Sequence, residues 1–189
     1  MKVSIIIPTR RNDLALSQCI DSIKQYTVDY QLVLIKGEAS FTCKINSGIK
    51  QAQGDYVIFL HDDCEVTENW TQTLPTDGVG TFCLGENNDS LDIWGGFVNP
   101  PRYCTDPTEN PDYAYWLCIH KDAMKKIGPF DERFKNPMYQ DVDMGLQVKK
   151  AGYKIECLSG KIIHRNGEGS GTPDEQQRGY VNRKWNISL

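Results

Sequence analysis

Between residues 3 and 63 the chain alternates two periodicities, and this alternation limits the fold more than any other feature. Val3 to Ile7 is a short continuous apolar run, the pattern of a parallel strand buried on both faces. Asn12 or Asp13 can cap a helix whose apolar residues Leu16, Cys19, Ile20, Ile23 and Tyr26 fall at helical spacing. Leu32 to Ile35 reads as a second strand, ended by Lys36-Gly37. Residues 43 to 53 read as a second helix with Ile45, Ile49 and Ala52 inward, stopped by Gly54. Tyr56 to Leu60 is a third strand that runs directly into His61-Asp62-Asp63. Strand, helix, strand, helix, strand with short connections predicts an α/β fold around a mainly parallel central sheet. Such sheets take ligands beyond the carboxyl ends of their strands, where Lys36, Asp62 and Asp63 fall.

The rest of the chain is less regular. Residues 69 to 113 are rich in Gly, Pro, Asn and Asp, with short apolar pieces at Val79 to Leu84 and Ile93 to Val98. They read as short strands and long loops, the wall of an acceptor pocket. Order returns with a strand at Tyr115 to Ile119, a helix from Lys121 to Ile127 closed by Gly128-Pro129, and a helix from near Tyr139 to Gly152. His120 is expected to cap the first of these helices or to lie on the surface beside it. Short strands follow at Lys154 to Leu158 and Lys161 to Ile163, then His164 and a glycine-rich loop.

Composition excludes several classes. With 25 acidic residues against 21 Lys+Arg, a net charge of −4 and no basic block, nothing marks a nucleic-acid binder. No apolar run approaches the roughly 18 residues of a membrane helix. The seven cysteines form no CxxC and no zinc-module spacing, so they are expected to be reduced thiols of a cytoplasmic protein. On that reading the N-x-[ST] triplets at Asn69, Asn88 and Asn186 carry no meaning. There is no P-loop, no GxGxxG after the first strand, no GxSxG elbow and no His-Glu-x-x-His.

Three constellations carry chemistry. Adjacent carboxylates at a strand's carboxyl end, Asp62 and Asp63, form an oxygen-rich site for Mg²⁺ or Mn²⁺, although Asp-Asp is also common in turns. Asp141 and Asp143 lie in the first turn of a helix, where acids favour the dipole. One of them, held at the helix start, can act as a general base. His164, beside the glycine loop and far along the chain from Asp63, can complete a metal site through an imidazole nitrogen.

Taken together, SIIIPTRRN at 4–12, NSGIKQAQGDYVIFLHDD at 46–63, GPFDERFKNPMYQDVDMGLQVKKAGYKI at 128–155 and IIHRNGEGS at 162–170 resemble the GT-A glycosyltransferases of family 2, especially the rhamnosyltransferase-like members. The resemblance implies a single GT-A domain over residues 1–189, with a nucleotide-binding half (1–68) and an acceptor and catalytic half (69–189). It implies a UDP- or dTDP-sugar lying across the first strands. Pro8, Thr9 and Arg10 would line the nucleotide pocket, with Lys44 and Glu38 nearby. Asp62 would lie near the ribose, and Asp63 and His164 on a Mn²⁺ or Mg²⁺ ion. Asp141 matches the family's catalytic base in an inverting transfer to a hydroxyl of a glycan or other acceptor. Trp94, Tyr115 and Trp116 are candidates to stack on a sugar or to pack in the core, and Arg183, Lys184 and Trp185 to close over the diphosphate or to form a surface helix.

The chain departs from the family in two places. Ile35-Lys36-Gly37-Glu38 stands where relatives carry an Asp that contacts the base, and Gln140 stands where most have Glu. Three rivals are weighed against this expectation. A non-catalytic nucleotide-sugar-binding module need not keep Asp63, Asp141 and His164 together. A nucleotidyltransferase needs a glycine-rich loop where PTRRND has no glycine. A receiver-type phosphoacceptor fits the chain length poorly.

Overall fold

A computed structural model of the protein describes residues 2–84, 116–135, 139–165 and 174–189. The expectations for Ile93 to Val98, Trp94, Tyr115 and the glycine-rich loop at 167–171 lie outside the described residues. The elements run β1 (Val3–Thr9), α1 (Leu14–Tyr26), β2 (Tyr30–Lys36), α2 (Phe41–Gln51), β3 (Tyr56–Phe59), β4 (Cys64–Val66) and β5 (Val79–Leu84). They continue with β6 (Leu117–His120), α3 (Lys121–Ile127), α4 (Gln140–Lys150), β7 (Glu156–His164) and α5 (Glu175–Trp185).

Seven strands form one sheet in the order β2-β1-β3-β6-β5-β7-β4. The parallel part expected from the first third is present: β1 pairs in parallel with both β2 and β3, with Thr9 opposite Lys36, so the carboxyl ends of β1 and β2 are level. Beyond β3 the sheet becomes mixed. β6 is antiparallel to β3 and β5, β5 is parallel to β7, and β4 is antiparallel to β7. β1 is buried at every position, as its continuous apolar run requires.

Local chemistry sets the helix ends. Asp13 caps α1 by accepting from Leu16 N, and Ser40 caps α2 by accepting from Cys43 N. His120 caps α3, its ring accepting from Asp122 N, as expected. Asn46 does more than occupy a helix position: its amide accepts from Phe130 N and donates to Phe130 O and Glu132, tying α2 to the loop that precedes α4. The two short strands expected at 154–163 are a single strand, β7. Gly160 lets it pass beneath Trp70, where a Cβ would stand 2.0 Å from the Trp70 carbonyl oxygen.

Two apolar layers flank the sheet. One, with Ile5, Ile7, Leu16, Ile23, Trp70 and Phe82, lies under α1; the other, with Ile6, Ile45, Phe59, Met144 and Val148, lies under α2, α3 and α4. Among the described residues no helix is long and apolar enough to cross a membrane. The expectation of uniformly reduced cysteines is corrected by a disulfide. Cys157 is disulfide-bonded, whereas Cys19, Cys43, Cys64 and Cys118 are free thiols.

Candidate metal and nucleotide site

The carboxyl ends of β1, β2 and β3 are joined by side chains rather than by the ladder alone. Lys44 on α2 is buried, and its ammonium donates to Thr9 O and Gly37 O at 3.0 Å each. It therefore ties the end of β1 to the turn after β2. Burial lowers its pKa, as does the nearby Arg10 charge. Gly37 accommodates this turn with φ near +125°, in the left-handed range that favours glycine. Thr9 donates to Asp62 Oδ2 at 2.5 Å and accepts from Arg11 N, while the Arg11 guanidinium stands 3.6 Å from Asp62 Oδ1. Burial raises the Asp62 pKa, with the Thr9 hydrogen bond opposing. Arg10 and Glu38 form an exposed pair over this edge, Arg10 also donating to Glu38 O. Pro8, Thr9, Arg10, Glu38, Lys44 and Asp62 thus belong to one edge.

Asp63 belongs to a second cluster. A turn after β3, closed by Cys64 N donating to His61 O, sets His61 and Asp63 close together. The register of β4 against β7 puts Cys64 opposite His164, and Arg165 N donates to Asp63 O. His164 Nε2 then lies 3.1 Å from Asp63 Oδ1, across about a hundred residues of chain. The donor atoms of His61, Asp63, Cys64 and His164 all fall within 4.8 Å of one another. Burial pushes the Asp63 carboxyl up, but its hydrogen bond to His164 and the neighbouring imidazole and Arg11 charges outweigh this, and its pKa is lowered. Burial, then the His164 charge, pushes His61 down to about 4, so its ring is neutral near pH 7. A carboxylate beside two imidazoles is the donor chemistry of a divalent transition-metal site, and these residues fit such an ion.

Trp116 is 3% exposed and packs edge-on to both imidazoles, its centroid 5.7 Å from that of His164 and 6.4 Å from that of His61. It braces the rings from within the core.

The start of α4 supplies the third feature. Tyr139 has φ near +63°, in the left-handed region, and gives no side-chain cap. Asp141 follows in the first turn, its carboxyl accepting from backbone N–H groups; burial outweighs those bonds and raises its pKa. Asp143 points elsewhere. It is 1% exposed and accepts from Gln147, Lys184 and Trp185 Nε1. The two acids diverge, as their spacing on a helix requires. Lys184 and Trp185 are therefore anchored on α4. Gln140 Oε1 is buried without a hydrogen-bond partner among the described residues. Sequence reasoning gave His61 a weaker case than His164 as a metal ligand. The signal available was its position two residues before Asp63, at a strand end.

Comparison with known proteins bears on the motifs and the fold. Residues 44–74 match the sequence profile of "Glycosyl transferase family 2". O-antigen biosynthesis protein RfbC of Myxococcus xanthus is 24% identical over 219 aligned residues, covering 86% of this chain and 17% of its own length. The chain thus spans about a sixth of that curated relative. Among solved structures, the catalytic domain of Drosophila beta1,4-galactosyltransferase 7 in complex with xylobiose superposes with a TM-score of 0.71 at 14% identity, over 99% of this chain and 82% of that one. GalNAc-T7 with UDP, GalNAc and Mn²⁺ superposes at 0.70 with 13% identity, over 96% and 47%. These matches bear out the resemblance to family 2 read from the motifs, and the chain has the GT-A fold.

Proposed function

We propose that this chain is a glycosyltransferase domain that moves a sugar from a nucleoside-diphosphate donor, a UDP-sugar in the first instance and a dTDP-sugar in the second, to a hydroxyl of a glycan or other acceptor. The observation that carries the reading is the Asp63–His164 pair at 3.1 Å, held at the end of β3 in a GT-A fold. Support for the donor and cation comes from the similar structure that holds UDP, GalNAc and Mn²⁺, and for a sugar acceptor from the one that holds xylobiose. The rhamnosyltransferase-like assignment rests on the sequence motifs.

In this reading the chain acts as one domain, residues 1–68 binding the nucleotide and residues 69–189 supplying acceptor and catalytic groups. Pro8, Thr9, Arg10 and Glu38 form the edge that takes the nucleoside. Lys44 holds that edge in shape through Thr9 O and Gly37 O. Asp62, oriented by Thr9 and Arg11, meets the ribose. Asp63 and His164 hold a divalent cation, Mn²⁺ or Mg²⁺. Such an ion, when bound, neutralises charge on the departing diphosphate. Asp141 takes the proton from the acceptor hydroxyl as that oxygen attacks the anomeric carbon, so configuration inverts in one displacement. Its raised pKa makes it a stronger base than a solvated carboxylate. Trp116 keeps the His61 and His164 rings in place. The same reading puts the protein in the cytoplasm, where the four free thiols among the described residues remain reduced; the disulfide at Cys157 departs from it.

The test is calorimetric titration with UDP, dTDP and GDP, each with and without Mn²⁺. Binding of one nucleotide that requires Mn²⁺ and is lost in Asp63→Asn is the expected result. Folded protein that binds none of them sinks the donor site. Asp141→Asn separates an enzyme from a non-catalytic binding module. Nucleotide binding survives in both cases, and only an enzyme has transfer to lose.

A further inference from the structure

We infer that His61 is a third protein ligand to the divalent cation, so that the site is a two-imidazole, one-carboxylate centre selective for transition metals over Mg²⁺. This rests on the reading of Asp63 and His164 as metal ligands and adds to it both a residue and a choice of ion.

The geometry begins with the turn after β3. His61 and Asp63 are two residues apart, and the Cys64 N to His61 O bond folds the segment so that both side chains reach the same small volume. His164 arrives from the other side on β7, fixed by the register that sets it opposite Cys64. The two imidazole centroids are 5.5 Å apart with planes inclined at 68°, so the rings meet edge to face rather than stacked. Each ring offers one nitrogen, and with the Asp63 carboxylate oxygen these atoms lie within 4.8 Å of one another. Phe41 and Trp116 pack edge-on against the His61 ring, at 5.7 and 6.4 Å between centroids, and hold it there.

Cys64 is the fourth donor within 4.8 Å, but it is fully buried in the apolar layer under α1 and forms the floor of the site. Three ligands from His61, Asp63 and His164 leave open positions, which a diphosphate needs. Mg²⁺ demands an octahedron of oxygens and keeps its water. Two imidazoles instead favour Mn²⁺, Co²⁺ or Zn²⁺, with affinity rising along that series toward the later metals.

The test uses the full chain stripped of metal. Co²⁺ titration followed by visible absorption gives affinity, and pulsed electron paramagnetic resonance of the Mn²⁺-loaded protein counts coordinated nitrogens. Wild type is expected to give two nitrogens, and His61→Phe, which keeps an aromatic ring against Phe41 and Trp116, to give one. Losing a partner behind a ligand already costs about 10–100-fold in metal affinity, so losing a ligand should weaken Co²⁺ at least about tenfold. A hundredfold excess of Mg²⁺ should leave Co²⁺ bound.

One nitrogen in the wild type overturns the proposal whether or not His61→Phe folds. So does unchanged Co²⁺ affinity in folded His61→Phe, or displacement of Co²⁺ by equimolar Mg²⁺. If those results come with Co²⁺ binding lost in Asp63→Asn, the two-ligand reading still stands. A wild type that binds neither ion overturns both. A cobalt–thiolate charge-transfer band with a nitrogen count insensitive to His61→Phe assigns the third position to Cys64 and overturns the role of His61.

Discussion

Asp141 and Gln140 sit side by side at the start of α4 and carry opposite electrostatic problems. Burial raises the Asp141 pKa above its ordinary value of 3.8. Between the unfolded and folded values the native state binds more protons than the unfolded one, so stability falls as pH rises through that window and stays lower above it. Asp141→Asn should therefore raise the urea midpoint at neutral pH, and should do so less at a pH below the ordinary carboxylate range. As the removal of a general base, the same change should lower transfer about 10²–10⁴-fold. An unchanged rate beside a raised midpoint would leave Asp141 a half-buried acid with no part in transfer. Gln140 is a different case, because its Oε1 is buried with no partner among the described residues. Replacing such a group by an apolar one of similar shape removes a penalty of about 1–3 kcal/mol. Gln140→Met should stabilise the fold by an amount of that order, read from denaturant melts. The sequence offered Asp63, Asp141 and His164 at strand and helix ends, where such residues are common, and the resemblance to family 2 gave them their roles. The sequence could not mark the burial of Gln140 or the company of His61. Both depend on which segments meet, and residue spacing along the chain does not encode that.

At the scale of elements, α5 shows how a polar helix is docked. It presents few apolar residues, with Val181 and Gln177 its buried positions, yet it is held by ionic bonds at its last turn. Lys184 bridges Asp131 and Asp143, Tyr180 donates to Asp131, and Trp185 donates to Asp143. Burial pushes the Asp131 carboxyl up, but Arg133, Lys184 and Tyr180 together hold it far below the usual carboxylate range. A depressed carboxylate contributes stability that is present above its unfolded value and is lost as pH falls through the folded one. Hydrogen bonds to charged groups are worth about 1.5–3 kcal/mol net, so Asp131→Asn should cost roughly 2 kcal/mol at neutral pH. It should also speed hydrogen exchange across residues 175–185. The stability gap between wild type and variant should stay level from pH 7 to about 4 and narrow only below that. A gap that closes between pH 7 and 5 would mean another group governs it. Elements were legible where local pattern decides: β1, α1, α2, β3 and α3 follow from apolar periodicity and caps. β4 was not legible, because three residues, Cys64–Val66, become a strand only by pairing with β7 about a hundred residues later. α5 was visible only at its aromatic end, since its docking is electrostatic.

Across the whole molecule, the metal site joins parts of the chain that are far apart in sequence. β3 and its turn supply His61 and Asp63, and β7 supplies His164 after the chain has laid down β5, β6, α3 and α4 between them. β4 and β7 form one edge of the seven-stranded sheet, so the donors converge only when the sheet is complete to that edge. An ion bound there should have affinity for the native state and almost none for the unfolded chain. At a free concentration of a hundred times its dissociation constant it should add about 2.7 kcal/mol to unfolding. For a chain of this size each kcal/mol moves the midpoint by about 2–4 °C, so Mn²⁺ should raise the melting temperature by roughly 5–10 °C. Because the ligands come from both ends of the fold, the shift should appear in one transition, with far-ultraviolet and near-ultraviolet circular dichroism moving together. Asp63→Asn should melt as one unit too, but with no response to Mn²⁺. If instead Mn²⁺ splits the transition in two, or moves only the near-ultraviolet signal, the β4–β7 edge forms independently of the β2-β1-β3 layer. The donor pocket would then be assembled by the ion rather than presented to it.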